Sequence, residues 1–383
     1  MACLSLRISN LPRTALRKDA ASQIPRAALH VDTLTMITYP HEMPPAAGEA
    51  ILVAPGIYWI RMPLPFTLNH INLWLLEDTD EYGDGWTIVD TGYGVAVTHE
   101  LWERHFAAIM GGKPVKRIIV THYHPDHVGC AAWLHEKTGA SVWMTTSEYL
   151  SAHAAAEDVA GFDRENSARL FIAHGLGKVR PDFAQAQKVR SGAYKRGVPT
   201  VPKQYHRMME HDEITIGARK WRVITAFGHA PEHATLFSVG DNILISGDQV
   251  LPRITTNVGV WGNQPEANPL KQFLDSMDKF EPLPIDTLVL PSHDRVFSGL
   301  HARLAQLRQH HVQRLAELEA AIEMPMHAGE ILPVLFHRPL DDHQLVFAIG
   351  EAIAHLHYLW REGRAKRTLD ADGIYSFQRM KQT

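Results

Sequence analysis

The spacing of hydrophobic and polar positions changes repeatedly along this chain, and each change marks an element. From residue 50, "AILVAPGIYWIRM" and "HINLWLLED" are rich in β-branched and aromatic residues and read as strands. "GWTIVDTG" is a short apolar run that stops at a turn. "THELWERHFAAIM" shifts to helical spacing, with a cap at or near Thr98. "VKRIIVTHYH" then reads as a buried strand, "DHVGCAAWLHEKTG" as a helix closed by Gly139, and "SVWMT" as the next strand.

Residues 147–212 break this rhythm with helices and loops punctuated by Pro181, Pro199 and Pro202. Strand signals resume in "EITIGARKWRVITAFGH", "ATLFSVG" and "NILISGDQVL", followed by a helix, "NPLKQFLDSMDKF", and a strand, "DTLVLPSHD". After Gly299 a long helix carries Leu300, Leu304, Leu307, Leu315, Leu318 and Ile322 on one stripe. His311 lies on that stripe and reads as a satisfied histidine in a packed seam. A short helix, "AGEILPVLF", and a longer one, "DHQLVFAIGEAIAHLHYLWREG", precede "RAKRTLDADGIYSF", two strands around an Asp-Gly turn. Helices followed by such a hairpin suggest a winged-helix module. The pattern divides the chain into a flexible extension over 1–35, a main domain over 36–298 containing the 147–212 insertion, and a linker helix with a winged-helix-like domain over 299–383.

Composition narrows the classes. With 45% hydrophobic and 21% charged residues, the chain is an ordinary globular protein, and a net charge of −4 marks neither a nucleic-acid binder nor a halophile. Its two cysteines, Cys3 and Cys130, exclude a disulfide framework and a cysteine-rich zinc module, and fit a reducing compartment, so a cytoplasmic location is expected. No apolar run reaches membrane-spanning length. Residues 1–35 carry Arg7, Arg13, Arg17, Lys18 and Arg26 without a signal-peptide core; a disordered extension is the favoured reading and a transit-like segment the alternative.

Histidine is unusually abundant, at 24 residues. His122, His124, Asp126 and His127 crowd six positions of "THYHPDHVG", where they repel one another unless positive charge sits between them. Residues two apart in a strand share a face, so His122 and His124 aim at one point. Beyond Pro125, Asp126 and His127 open the next helix and face a second point. Imidazole and carboxylate donors suit zinc, with iron or manganese also acceptable. Further donors follow other apolar strands: His229 in "AFGHAPEH", Asp248 in "ISGDQ" and His293 in "LPSHDR".

These motifs, in this order, together with Asp90 in "IVDTG", resemble the metallo-β-lactamase-fold hydrolases over roughly residues 50–298. The resemblance implies an αβ/βα four-layer sandwich of two mixed β-sheets flanked by helices. It implies that His122, His124 and His229 bind one metal, that Asp126, His127 and His293 bind a second, and that Asp248 bridges them. Asp90 would orient the histidine loop from behind. The family chemistry is hydrolysis by a hydroxide activated between the metals, with Asp126 or Asp248 managing the proton. His233 lies where the family carries a non-ligand histidine. Tyr123 and Cys130 read as core residues. His70, His153, His206 and His211 match no motif.

One such site serves several substrates. Between Lys178 and Arg207 stand eight basic residues and one acid, Asp182, which read either as a solvated face or as a lid over an anionic substrate. Tyr194, Lys195, Arg196 and His233 are the candidates for a substrate rim. The tail resembles that of a branch containing an endoribonuclease and thioesterases, rather than the helical tail of the glyoxalase-type enzymes. The first expectation is therefore a hydrolase of a thioester or ester of a small anionic, acyl-CoA-like compound, with no membrane partner. Alternatives are a ribonuclease gripping single-stranded RNA through Arg361, Arg364, Lys366 and Arg367, a lactonase, and a winged-helix binding protein with a structural metal. The seam helix leaves assembly into a homo-oligomer open.

Overall fold

The computed structural model describes residues 36–183 and 192–381. The extension expected over 1–35, and Lys188 and Arg190 of the basic run, lie outside the described residues.

Seven strands form the first sheet in sequence order: β1 (Ala50–Ala54), β2 (Ile57–Pro63), β3 (His70–Asp80), β4 (Gly83–Val89), β5 (Val115–Ile119), β6 (Ser141–Met144) and β7 (His206–Arg207). The first four pair antiparallel and the last four parallel. A second sheet has β8 (Glu213–Ile216), β9 (Arg219–Ala226), β10 (His233–Ser238), β11 (Ile243–Gly247), β12 (Leu288–Pro291) and β13 (Phe297–Ser298), with β11 and β12 the parallel pair. Helices cover the outer face of each, so the expected four-layer arrangement of two mixed sheets is the one observed.

Period-two alternation explains the layers. In β3, Ile71, Leu73 and Leu75 point outward to a core shared with the helices Ala96–Ala107, Ala131–Thr138 and Thr146–Ala156. Trp74 and Leu76 point inward, where they meet Trp59, Trp221, Val223, Leu236 and Ile245 between the sheets. A buried tryptophan removes roughly 150–250 Å² from water, which stabilises by about 4–6 kcal/mol. Trp59, Trp74 and Trp221 each leave their indole N–H without a partner, which offsets about 1–3 kcal/mol of that. Burial wins, and it locks the two sheets together.

The outer face of the second sheet packs on the helices Arg164–Ala173, Pro269–Met277, Leu300–Ala321, Ala328–Leu335 and Asp342–Arg361. The hairpin of β14 (Ala365–Leu369) and β15 (Tyr375–Arg379) closes the chain, and its Phe377 joins the same apolar cluster. The long helix buries the predicted leucine stripe, and His311 on it pairs Nδ1 with His355 Nε2 at 3.2 Å. The helix expected over 126–139 is two pieces, Pro125–Val128 and Ala131–Thr138. The cap expected near Thr98 is at Val95, with Thr98 buried inside the helix.

Burial holds His105, His174, His355 and His357 down to about 4 and His311 to about 2. The unfolded chain protonates these rings below about 6.5 and the folded chain does not, so their stabilisation is complete above that value and lost as pH falls. Glu148 and Glu351, pushed up to about 8 and about 7 by burial, act in the opposite sense, two groups against these five. The melting temperature of chelator-treated protein should therefore fall steadily from pH 7 to pH 5; a flat or rising profile would contradict this reading.

Candidate metal centre

Every candidate donor stands just past the C-terminal end of a strand, at one edge of the sandwich. β4 delivers Asp90, β5 the 121–127 loop, β9 His229, β11 Asp248 and β12 His293. β5 ends at Ile119, so His122 and His124 are loop residues, and strand alternation does not aim them. They converge all the same. His122 Nε2 lies 2.9 Å from His124 Nδ1 and 3.2 Å from His229 Nε2, and Asp248 Oδ2 is 3.4 Å from His229 Nε2.

A second group lies beside the first. His293 Nε2 is 3.5 Å from Asp126 Oδ2 and 3.3 Å from Asp248 Oδ1, and His127 Nε2 is 3.8 Å and 3.5 Å from the same two oxygens. Four donors around a zinc-sized ion at 2.0–2.2 Å stand about 3.3–3.6 Å apart. The observed separations bracket that value. His127 Nε2 and Asp248 Oδ1 are buried with no hydrogen-bond partner, which is costly unless a cation satisfies them. Both donor sets, one holding Asp248 and the other adjoining it, could hold a metal ion.

Oxygen acceptors fix the far side of the rings. In His122, His127, His229 and His293 Nε2 turns inward and Nδ1 carries the proton. His229 donates it to Asn257 O at 2.8 Å, His293 to His70 O at 2.8 Å, and His127 to Asp90 Oδ2 at 2.8 Å. His122 donates to Thr121 Oγ1 at 3.0 Å, whose hydroxyl in turn donates to Asp90 Oδ2 at 2.9 Å. Such acceptors hold tautomer and orientation together. Asp90 reaches this position because its backbone turns to φ 62° after β4, a left-handed conformation aspartate tolerates.

The electrostatics separate the two groups. Burial, then neighbouring imidazoles, hold His122 and His124 well below the ordinary histidine range. Burial would also lower His127, but Asp90, Asp126 and Asp248 override it and hold it well above. His293 is raised in the same way by Asp248 and Asp126. Burial pushes Asp248 up, and His293 and His127 pull it well below the carboxylate range. Three carboxylates around one imidazole favour positive charge at that point.

Several side chains sit elsewhere than expected. His233 is no rim residue: fully buried at the start of β10, it stacks on His122 and accepts the Asp248 N–H through Nε2 at 3.1 Å. A Cβ on Gly247 would stand 2.4 Å from that ring, which is why glycine precedes Asp248. Tyr194 stacks on Tyr123 and donates its hydroxyl to Tyr123 O at 2.5 Å, bracing the loop from the insertion side. Lys195 pairs with Glu157 at 3.1 Å on the surface. Arg196 is exposed, and Tyr93 feels both it and Asp126: burial raises the phenol pKa, Arg196 lowers it and Asp126 raises it.

Sequence reasoning missed Thr121 and Glu148. The "T" ahead of the histidines was the available signal for Thr121. Glu148, pushed up to about 8 by burial, accepts the Tyr123 N–H at 2.9 Å.

The family model described as Metallo-beta-lactamase superfamily matches residues 67–293, a span that holds both donor groups. The chain belongs to this superfamily. A second model, Metallo-beta-lactamase-like, C-terminal domain, matches residues 315–380. The crystal structure of a beta-lactamase domain protein from Burkholderia ambifaria superposes on this superfamily member with a TM-score of 0.84 at 45% identity, covering 90% of this chain and 98% of that one. A probable metallo-hydrolase of Bacillus subtilis is 22% identical over 328 residues, 84% of this chain and 97% of its own. A hydroxyacylglutathione hydrolase of Idiomarina loihiensis is 24% identical over 222 residues, 58% of this chain and 60% of its own.

Asp90→Asn tests the support from behind. It keeps one acceptor and turns an N–H₂ towards donors already present, so metal affinity measured by competitive titration should fall about 10–100-fold. Affinity unchanged from wild type would show that Asp90 does not orient the ring of His127.

Proposed function

We propose that this superfamily member is a two-metal hydrolase acting on a thioester or ester of a small anionic acyl compound. The observation that carries the reading is Asp248: one buried carboxylate presents Oδ2 to His229 and Oδ1 to His127 and His293. A structural zinc site needs four donors in a closed set, whereas a shared carboxylate between two sets suits a catalytic pair. His122, His124 and His229 would hold one ion, Asp126, His127 and His293 the other, and Asp248 both. Zinc is the first choice for this donor set, with iron or manganese acceptable.

Bound there, two divalent ions supply Lewis acidity and a water acidic enough to ionise near neutral pH. The chain's own part is orientation and proton handling. Asp90, Thr121, His70 O and Asn257 O hold the rings, and His233 holds the backbone of Asp248. Asp126 keeps 18% of its side chain exposed against 11% for Asp248, so its carboxylate is the one placed to take a proton and pass it to solvent.

The hydroxyacylglutathione hydrolase relative supports thioesters as the bond class. Charge supports an anionic substrate more narrowly than the basic run suggested. Lys178 pairs with Asp372, Arg180 with Asp182 and Asp342, and Lys195 with Glu157. Of the described basic residues of this run, Arg196, Lys203 and Arg207 have no ion pair, and Arg196 is the one whose charge acts on Tyr93, a phenol that Asp126 acts on as well. The ribonuclease alternative is weakened by the tail, where Arg361 and Arg367 bind Glu266 and Arg364 binds Glu319.

A hydrolysis panel of acyl-CoA thioesters, glutathione thioesters, lactones, a chromogenic β-lactam and single-stranded RNA tests this. Thioester cleavage should dominate, vanish with chelator, return with added zinc and be absent in Asp248→Ala. Activity on RNA alone, or thioester turnover that survives chelation, would refute the proposal.

A further inference from the structure

"TTSE", residues 145–148, has the form of a helix capping box, a threonine followed three positions later by a glutamate. The helix Thr146–Ala156 does not use it that way. Thr145 makes no side-chain cap hydrogen bond, and its hydroxyl instead donates to Glu232 O at 2.8 Å. Glu148 turns inward. One carboxylate oxygen accepts the Tyr123 N–H at 2.9 Å and the other accepts the Glu232 N–H at 2.5 Å. Glu232 returns the contact, its own carboxylate accepting the Ser147 N–H at 3.2 Å.

Three segments from distant parts of the chain therefore meet at one fully buried side chain. Tyr123 lies between His122 and His124, and Glu232 lies three residues after His229. The two N–H groups converge on Glu148 from opposite loops. Only a carboxyl group offers an acceptor oxygen to each; glutamine has one such oxygen and would turn an N–H₂ against the second donor. Burying a carboxyl group is unfavourable unless hydrogen bonds compensate it, so this position is costly for any purpose that a neutral residue would serve.

We propose that Glu148 is the positioning residue for the three-histidine half of the metal centre. By fixing Tyr123 it presents His122 Nε2 and His124 Nδ1 at their 2.9 Å separation, and by fixing Glu232 it sets the turn that brings His229 Nε2 to 3.2 Å from His122. The other half is held by different groups: His127 by Asp90, and His293 by the His70 carbonyl. Loss of the brace should therefore be asymmetric, weakening one half and sparing the other. This inference rests on the two-metal reading above.

The test compares wild type, Glu148→Gln and Thr145→Val as full-length chains loaded with cobalt(II), by metal analysis, competitive titration and visible absorption. His229→Ala and His293→Ala supply reference spectra for a centre lacking one or the other half. Wild type should bind two ions. Glu148→Gln should keep one ion at wild-type affinity and lose about 10–100-fold at the other, with the spectrum of its single-ion form matching His229→Ala. Thr145→Val should weaken the same half by a smaller factor, which keeps the test decisive should Glu148→Gln fail to fold. Two ions at wild-type affinities in whichever of these variants folds, or a single-ion spectrum matching His293→Ala, would overturn the brace alone. A wild type that binds no ion would overturn the two-metal reading and the brace with it.

Discussion

The apolar layer between the sheets, with Trp59 and Trp74 on one side and Trp221 and Leu236 on the other, is what the candidate centre depends on. The first sheet supplies Asp90 and the loop 121–127; the second supplies His229, Asp248 and His293. Donors from the two halves must meet to within a few tenths of an ångström, and loops alone do not give that precision. Strands do, because their ends are fixed by ladder hydrogen bonds and by the side chains pressed between the sheets. The site is thus a consequence of sandwich packing, and its flexible-looking loops are short spans between fixed strand ends.

On that frame, the loops are tied down by buried polar contacts that offset the cost of gathering so many ionisable groups. Asp90 and Thr121 hold the back of His122 and His127, His233 holds Asp248, and Glu148 holds the two loops that carry His122, His124 and His229. Glycine makes the closest approaches possible. A Cβ on Gly129 would stand 2.4 Å from Gly197 O, so the insertion can press its backbone directly against the histidine loop.

Much of this was legible in the sequence, for a physical reason. Metal-binding motifs are local: "HYHPDH" supplies four of the seven candidate donors by itself, and isolated donors such as His229, Asp248 and His293 announce themselves by following apolar strands. Strand boundaries were less legible, since "RIIVTHYH" keeps a strand-like pattern past Ile119, where the ladder ends. The supporting residues were least legible. Glu148 binds backbone N–H groups, which every residue carries, so no pattern of side chains marks its partners. Tyr194 and Lys195 were expected on a rim because they stand in a basic run, but Tyr123 and Glu157, both remote in sequence, claim them.

Crystals grown with zinc and measured at the zinc absorption edge would test the central claim most directly. Two anomalous peaks are predicted, one bounded by His122, His124 and His229, the other by Asp126, His127 and His293, with Asp248 between them and donor distances of about 2.0–2.2 Å. A single peak, or peaks away from these side chains, would contradict the account.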